Sequence, residues 1–149
     1  VRPYYAYEHL VTFADTNLVG NVYFAKHLTW QGECRERFLA EHTPEILAQL
    51  GDDLAMVTLA CSCDYFGELY AFDRVSIRMT LSGLDHNRVT MDFAYYRVNI
   101  DPAQLVARGS QTIACMLRTD RGLAPVAVPG QLRRALERYS DQLVGGGVQ

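Results

Sequence analysis

The hydrophobic periodicity of the chain changes once, near residue 53, and that change limits the folds open to it. Before it, Phe24, Leu28, Gln31, Arg35, Phe38 and Leu39 recur at spacings of three and four, with His27 and Cys34 beside them. That spacing predicts an amphipathic helix over about residues 22–41. After it the period is two. Leu54, Met56 and Thr58 alternate with Ala55, Val57 and Leu59, and the same alternation runs through Val75, Ile77, Met79 and Leu81 and through Val89, Met91, Phe93 and Tyr95. One long helix followed by a run of strands joined by short turns predicts an α+β domain, with an antiparallel sheet wrapped around a central helix.

The remaining segments fit that plan. "YYAYEHLVTF" is aromatic and β-branched and reads as a first strand over about residues 4–13. Thr43-Pro44-Glu45 is a helix start, with Thr43 as cap, Pro44 in the first turn and Glu45 at the positive end; Gly51 stops this short helix. "GLDHNR" and "NIDPAQ" are turns, about residues 104–118 form another long strand, and "QLRRALERYS" is an amphipathic closing helix. The tail "VGGGVQ", within about residues 141–149, is expected to fray. The chain has no repeat and no linker, so residues 1–149 are expected to form one domain. One helix cannot cover both faces of the sheet, so a homodimer or homotetramer with sites at subunit interfaces is expected.

Charge and composition remove several function classes. A net charge of −3 and a pI near 5.8 give no footprint for nucleic acid or an anionic membrane. No apolar run is long enough to span a bilayer, and "VRPYYAYEHL" lacks the pattern of a signal peptide. Of four cysteines, Cys61 and Cys63 share a strand face, but no second pair completes a zinc spacing. Reduced cytosolic thiols, a cytoplasmic location, no metal and no cofactor are the expectation. Gly-x-Ser-x-Gly, P-loop and dinucleotide fingerprints are absent from the sequence.

"ADTNLVGNVYFAKHLTW" and "RTDRGLAPVAVPGQLRRAL" together resemble the loop-to-helix signature and closing segment of the hotdog-fold thioesterases of the 4-hydroxybenzoyl-CoA thioesterase type. The resemblance runs from about residue 4 to residue 140. At the position of that family's usual catalytic Asp this chain has Asn17, and His27 stands where Tyr is common. Asn17 followed by "LVGNVYF", with "GECRERF" and "MVTLACSCDYF", is similar to the thioesterases of enediyne polyketide biosynthesis. That resemblance implies hydrolysis of a polyene β-ketoacyl chain from an acyl carrier protein at a site without a carboxylate, with Asn17, Arg35 and Thr58 as its catalytic residues. Hotdog dehydratases pair an Asp with a His five residues on; five on from Asp15 is Gly20, which disfavours that chemistry.

Read for themselves, these residues permit the chemistry and also plainer roles. Asn17 offers a hydrogen-bond acceptor and two donor hydrogens but no base, and it equally suits a turn or helix cap. Arg35 falls on the inward stripe, so it either pairs with a carboxylate or anchors a carbonyl or developing oxyanion. Gly20 allows close backbone approach, and amides near Asn21, Val22, Tyr23 and Phe24 are expected to be free donors at the positive end of the helix. Thr58, on an expected buried face, is a core residue or orients a water. His27 is a satisfied core histidine or handles a proton. Two rival functions remain open beside the carrier-bound polyketide thioesterase: an acyl-CoA thioesterase of primary metabolism, and a non-catalytic acyl-binding hotdog protein.

Overall fold

A computed structural model describes residues 3–140; the expected frayed tail lies outside the described residues. The elements run β1 (Tyr5–Leu10), a 3-10 turn (Phe13–Asp15), α1 (Lys26–His42), α2 (Pro44–Gln49), β2 (Leu54–Tyr65), β3 (Arg74–Leu84), β4 (Arg88–Arg97), β5 (Gln104–Thr119), β6 (Gly122–Pro125) and α3 (Gly130–Glu137). The strands pair antiparallel in the order β1-β3-β4-β5-β2, and β6 folds back on the end of β5 from Met116 to Thr119. This is the mixed α+β hotdog arrangement, a long sheet with a helix packed against it.

The period-two runs place their side chains as read. Val75, Ile77, Met79 and Leu81 on β3, and Val89, Met91, Phe93 and Tyr95 on β4, are all buried. They meet Trp30, Cys34, Phe38 and Leu39 from α1 in one core. The Tyr95 hydroxyl crosses that core to donate to the His27 carbonyl at 2.7 Å, satisfying a polar group that burial would otherwise penalise.

Several expectations need correction. The first strand ends at Leu10, because Val11 turns to bond Phe72 and Asp73 and the chain then enters the 3-10 turn. The helix begins at Lys26 rather than near 22, because residues 21 and 22 form isolated bridges to Tyr70 and Thr16. Trp30, absent from the predicted stripe, is nearly fully buried, while Phe24 is exposed. Thr43 holds the cap position of α2, yet its hydroxyl points back to Leu39 O at 3.3 Å and makes no cap bond. β6, not expected as a strand, is a short strand that opens on Gly122 at φ 108.

The sheet face away from α1 carries Ser62, Asp64, Thr80, Asp92 and Arg108, and on it Arg78 is sandwiched between the rings of Tyr4 and Tyr96 at 4.8 and 4.2 Å. That face is polar and does not itself demand a cover. Exposed apolar groups collect instead in the loop before α1, where Leu18 is fully exposed and Val19, Phe13 and Phe24 are mostly so. β2 is an edge strand of twelve residues, with no neighbour on its outer side among the described residues.

Candidate active site

The Thr12–Tyr23 loop is built on backbone hydrogen bonds that close on themselves. Asn17 N–H donates to Asn21 O at 2.9 Å, and Asn17 O accepts Gly20 N–H at 3.0 Å. Gly20 sits at φ 96, a conformation that a residue with a Cβ rarely adopts. The Asn17 side chain takes part: its Oδ1 accepts Val19 N–H at 3.0 Å. This is an Asx turn, and it decides which end of the amide is free. The acceptor is occupied, and Nδ2 has no partner among the described residues. Asn17 is therefore both a turn residue and a presented donor.

Of the four amides expected to be free donors two are taken, while the Asn21 and Phe24 N–H groups have no acceptor among the described residues. Val22 N–H donates to Leu69 O at 2.8 Å and Tyr23 N–H to Asp15 O at 2.9 Å, because this segment is extended and paired. Asn21 Nδ2 reaches Glu68 at 3.1 Å, leaving its buried Oδ1 unpaired. The rings of Tyr23 and Phe24 lie 4.8 Å apart on the surface, and Phe24 O accepts the Tyr65 hydroxyl at 2.6 Å.

One helix face carries a second polar group. His27, Gln31 and Arg35, each four residues on, lie on one stripe of α1. His27 is buried in a cage of Trp30, Tyr65 and Tyr95, with ring centroids 5.1, 4.8 and 5.3 Å away. Neither of its nitrogens has a partner among the described residues, so it is a core histidine but not a satisfied one. Burial pushes its imidazole down to about 4, against a smaller opposing pull from the Phe24 carbonyl. It is neutral near pH 7. Gln31, fully buried, donates from Nε2 to Ser62 O at 3.0 Å and leaves Oε1 unpaired. It lies over Gly109, where a Cβ would collide with its amide.

Arg35 points inward as expected, but its partner is the Gln111 amide, at 2.6 Å from Nη1, rather than a carboxylate. Its Nε is buried without a partner, and burial lowers the guanidinium from its usual value, opposed by Glu36. It borders a cleft of about 500 Å³ walled by Leu39, Leu47, Leu54, Met56 and Leu123. Thr58 stands opposite Ile113 on β2, beside the bulge between Thr58 and Ala60, and is exposed in the single chain rather than buried. Sequence reading missed Gln111, since nothing in a strand's alternation says which residue will face a helix arginine.

No contact or cavity joins Asn17 to Arg35 among the described residues. Arg35 lies nine residues past the first residue of α1, about 14 Å along the axis, while Asn17 precedes the helix altogether. The four cysteines are free thiols, and no metal-holding group of His, Cys, Asp and Glu occurs among the described residues. No helix among them is long and apolar enough to cross a membrane.

Comparison with known proteins supplies the context. The thioesterase-like superfamily matches residues 11–136. The dynemicin thioesterase, whose crystal structures concern polyene binding, is 54% identical with a TM-score of 0.90, covering 93% of this chain and 98% of that one. A 1,4-dihydroxy-2-naphthoyl-CoA hydrolase of Synechocystis sp. is 30% identical over 129 residues, 85% of this chain and 91% of its own. A 4-hydroxybenzoyl-CoA thioesterase complexed with 4-hydroxybenzoyl-CoA shares the fold, with a TM-score of 0.76 over 88% of this chain and 96% of that one at 14% identity.

Proposed function

The chain belongs to the thioesterase-like superfamily and is a thioester hydrolase, and we propose that its substrate is a polyene β-ketoacyl chain on the acyl carrier protein of an iterative polyketide synthase. The observation that carries this reading is the orientation of Asn17. With Oδ1 turned to Val19 N–H, the residue presents its two Nδ2 hydrogens where the wider family presents a carboxylate. In the proposed reaction, water attacks the thioester carbonyl, and the oxyanion that forms is held by Asn17 Nδ2–H and by the Arg35 guanidinium. Collapse of the tetrahedral intermediate breaks the C–S bond and releases the carrier thiol and a β-keto acid. That acid can lose CO2 to leave a methyl ketone. The proton leaves to solvent, since a His27 pushed to about 4 is a weak base. Forgoing a strong general base costs roughly 10²–10⁴-fold in rate, so turnover is slow.

Because the two groups are far apart in one chain, the reading includes a dimer, or a dimer of dimers, in which Asn17 of one protomer faces Arg35 of another. The exposed apolar tip at Leu18 and Val19 and the unpaired edge of β2 support this assembly. Gly20, Asn21, Val22, Tyr23 and Phe24 would shape the mouth, and Thr58, exposed on β2, would orient the water.

The deciding experiment mixes the protein with a polyene-loaded carrier protein and analyses the products by mass. Release of a β-keto acid or its methyl ketone, faster than from the matching CoA thioester, supports the proposal. A clear preference for CoA thioesters would favour the acyl-CoA hydrolase reading, in line with the naphthoyl-CoA hydrolase relative. Acyl binding without single-turnover hydrolysis would leave only a binding protein.

A further inference from the structure

Two surface features of this chain have complementary shapes and lie apart. The Leu18–Val19 tip is apolar, with Leu18 fully exposed and Val19 82% exposed. The cleft beside Arg35 is apolar and open, about 500 Å³ walled by Leu39, Leu47, Leu54, Met56 and Leu123. Leu47 and Leu123 on its wall are themselves 39% and 50% exposed, and Arg35 Nε at its border is buried without a partner.

β2 fixes where each feature lies. Its last residue, Tyr65, donates to Phe24 O at 2.6 Å, and the segment that follows holds the loop. There Leu69 O accepts Val22 N–H at 2.8 Å, Tyr70 bridges Asn21, and Glu68 accepts Asn21 Nδ2 at 3.1 Å. The tip therefore belongs to the C-terminal end of β2. The cleft belongs to the other end, where Leu54 and Met56 of β2 meet Leu39 of α1.

The outer edge of β2 has no neighbour among the described residues. A two-fold axis normal to the sheet, near the mid-strand bulge between Thr58 and Ala60, pairs two such edges antiparallel. It also keeps both α1 helices on one side. Antiparallel pairing sets the Tyr65 end of each copy against the Leu54 end of its partner. One symmetry operation thus carries each tip toward the other copy's cleft. Charge agrees with that meeting. The cleft carries Arg35 and Arg118 against Glu36 alone, whereas the tip is uncharged and its loop is bonded to the exposed Glu68.

We propose that the Leu18–Val19 tip of one copy seats in the cleft beside Arg35 of a second copy, across paired β2 edges. The contact covers the exposed leucine and fills the cleft. It also brings Asn17, the residue before the tip, toward the partner's arginine. Each copy both gives and receives a tip, so the assembly closes at two. Its bearing on hydrolysis rests on the Asn17–Arg35 reading, but the contact itself does not.

The experiment locates the tip directly. Heavy-isotope-labelled and unlabelled copies, both carrying photoreactive p-benzoylphenylalanine in place of Leu18, are mixed, illuminated and digested. Peptides of mixed label joining position 18 to residues 47–57 or to Leu123 are expected. Cross-links of a single label only, or to the sheet face around Asp92, overturn the proposal. In sedimentation, Leu18→Asp and Leu123→Lys should each weaken self-association about tenfold or more, with circular dichroism unchanged. The double variant, which sets opposite charges across the contact, should recover most of that loss. Folded single variants that associate like wild type overturn the contact, as does a double variant weaker than either. Weaker acyl binding by Leu123→Lys with association intact would give the cleft to the acyl chain instead. If the cross-links form as expected while the wild type hydrolyses no thioester, the thioesterase proposal fails and the contact stands.

Discussion

The Val19 amide asks of residue 17 only an acceptor, and both Asn and Asp supply one. Asn17→Asp therefore keeps the turn while removing the donor and adding a negative charge beside a developing oxyanion. Asn17→Ala loses turn and donor together. Both variants are expected to lose on the order of 3 kcal/mol of transition-state stabilisation, a hundredfold or more in single-turnover hydrolysis of one β-ketoacyl thioester. A faster Asp variant with a new acidic limb in its pH profile would show that the pocket is still built for a carboxylate. His27 makes a separate demand on stability. Its folded value near 4 lies below the ordinary 6.5, so between these pH values the unfolded chain binds a proton that the folded chain refuses. Stability contributed by this group is complete above about pH 6.5 and declines as pH falls toward 4, by on the order of 3 kcal/mol in all. His27→Phe, apolar in an aromatic cage, should flatten that slope, as read by urea midpoints at several pH values.

At the scale of elements, β2 makes the plainest demand for a partner. It is long, lies at the edge of the sheet and carries Leu59 46% exposed beside a bulge. If that edge meets a second copy, Leu59→Lys should shift the protein toward a 16.8 kDa monomer in sedimentation with its circular dichroism unchanged. An edge facing only water would show no such shift. The elements also mark what sequence could and could not supply. β3 and β4 were legible because period-two alternation over about seven residues in each leaves little else to read. The N-terminus of α1 was not, since "NVYFA" is equally apolar as helix or strand, and only its pairing with Thr16 and Tyr70 makes it extended. Asn17 and Arg35 were readable as residues. Gln31 was readable on the inward stripe, but its bond to Ser62 O and the bond of Gln111 to Arg35 were not, because they join a helix to strands far along the chain.

For the whole molecule, the proposed reaction makes an assembly of copies part of the chemistry, since Asn17 and Arg35 make no contact with each other among the described residues. If each site draws one residue from either protomer, Asn17→Ala and Arg35→Ala chains, each nearly inactive alone, should complement when their subunits are exchanged. Random pairing makes half the dimers mixed, with one intact site in two, so about a quarter of wild-type activity should return. No recovery after verified exchange would place both residues in one chain's site. If the exposed tip at Leu18 and Val19 meets a second copy, the rate law changes. Below the concentration at which copies associate, hydrolysis should rise with the square of the chain concentration, and only above it become linear. Copy number, and not the catalytic constant alone, then governs how quickly thioester is hydrolysed.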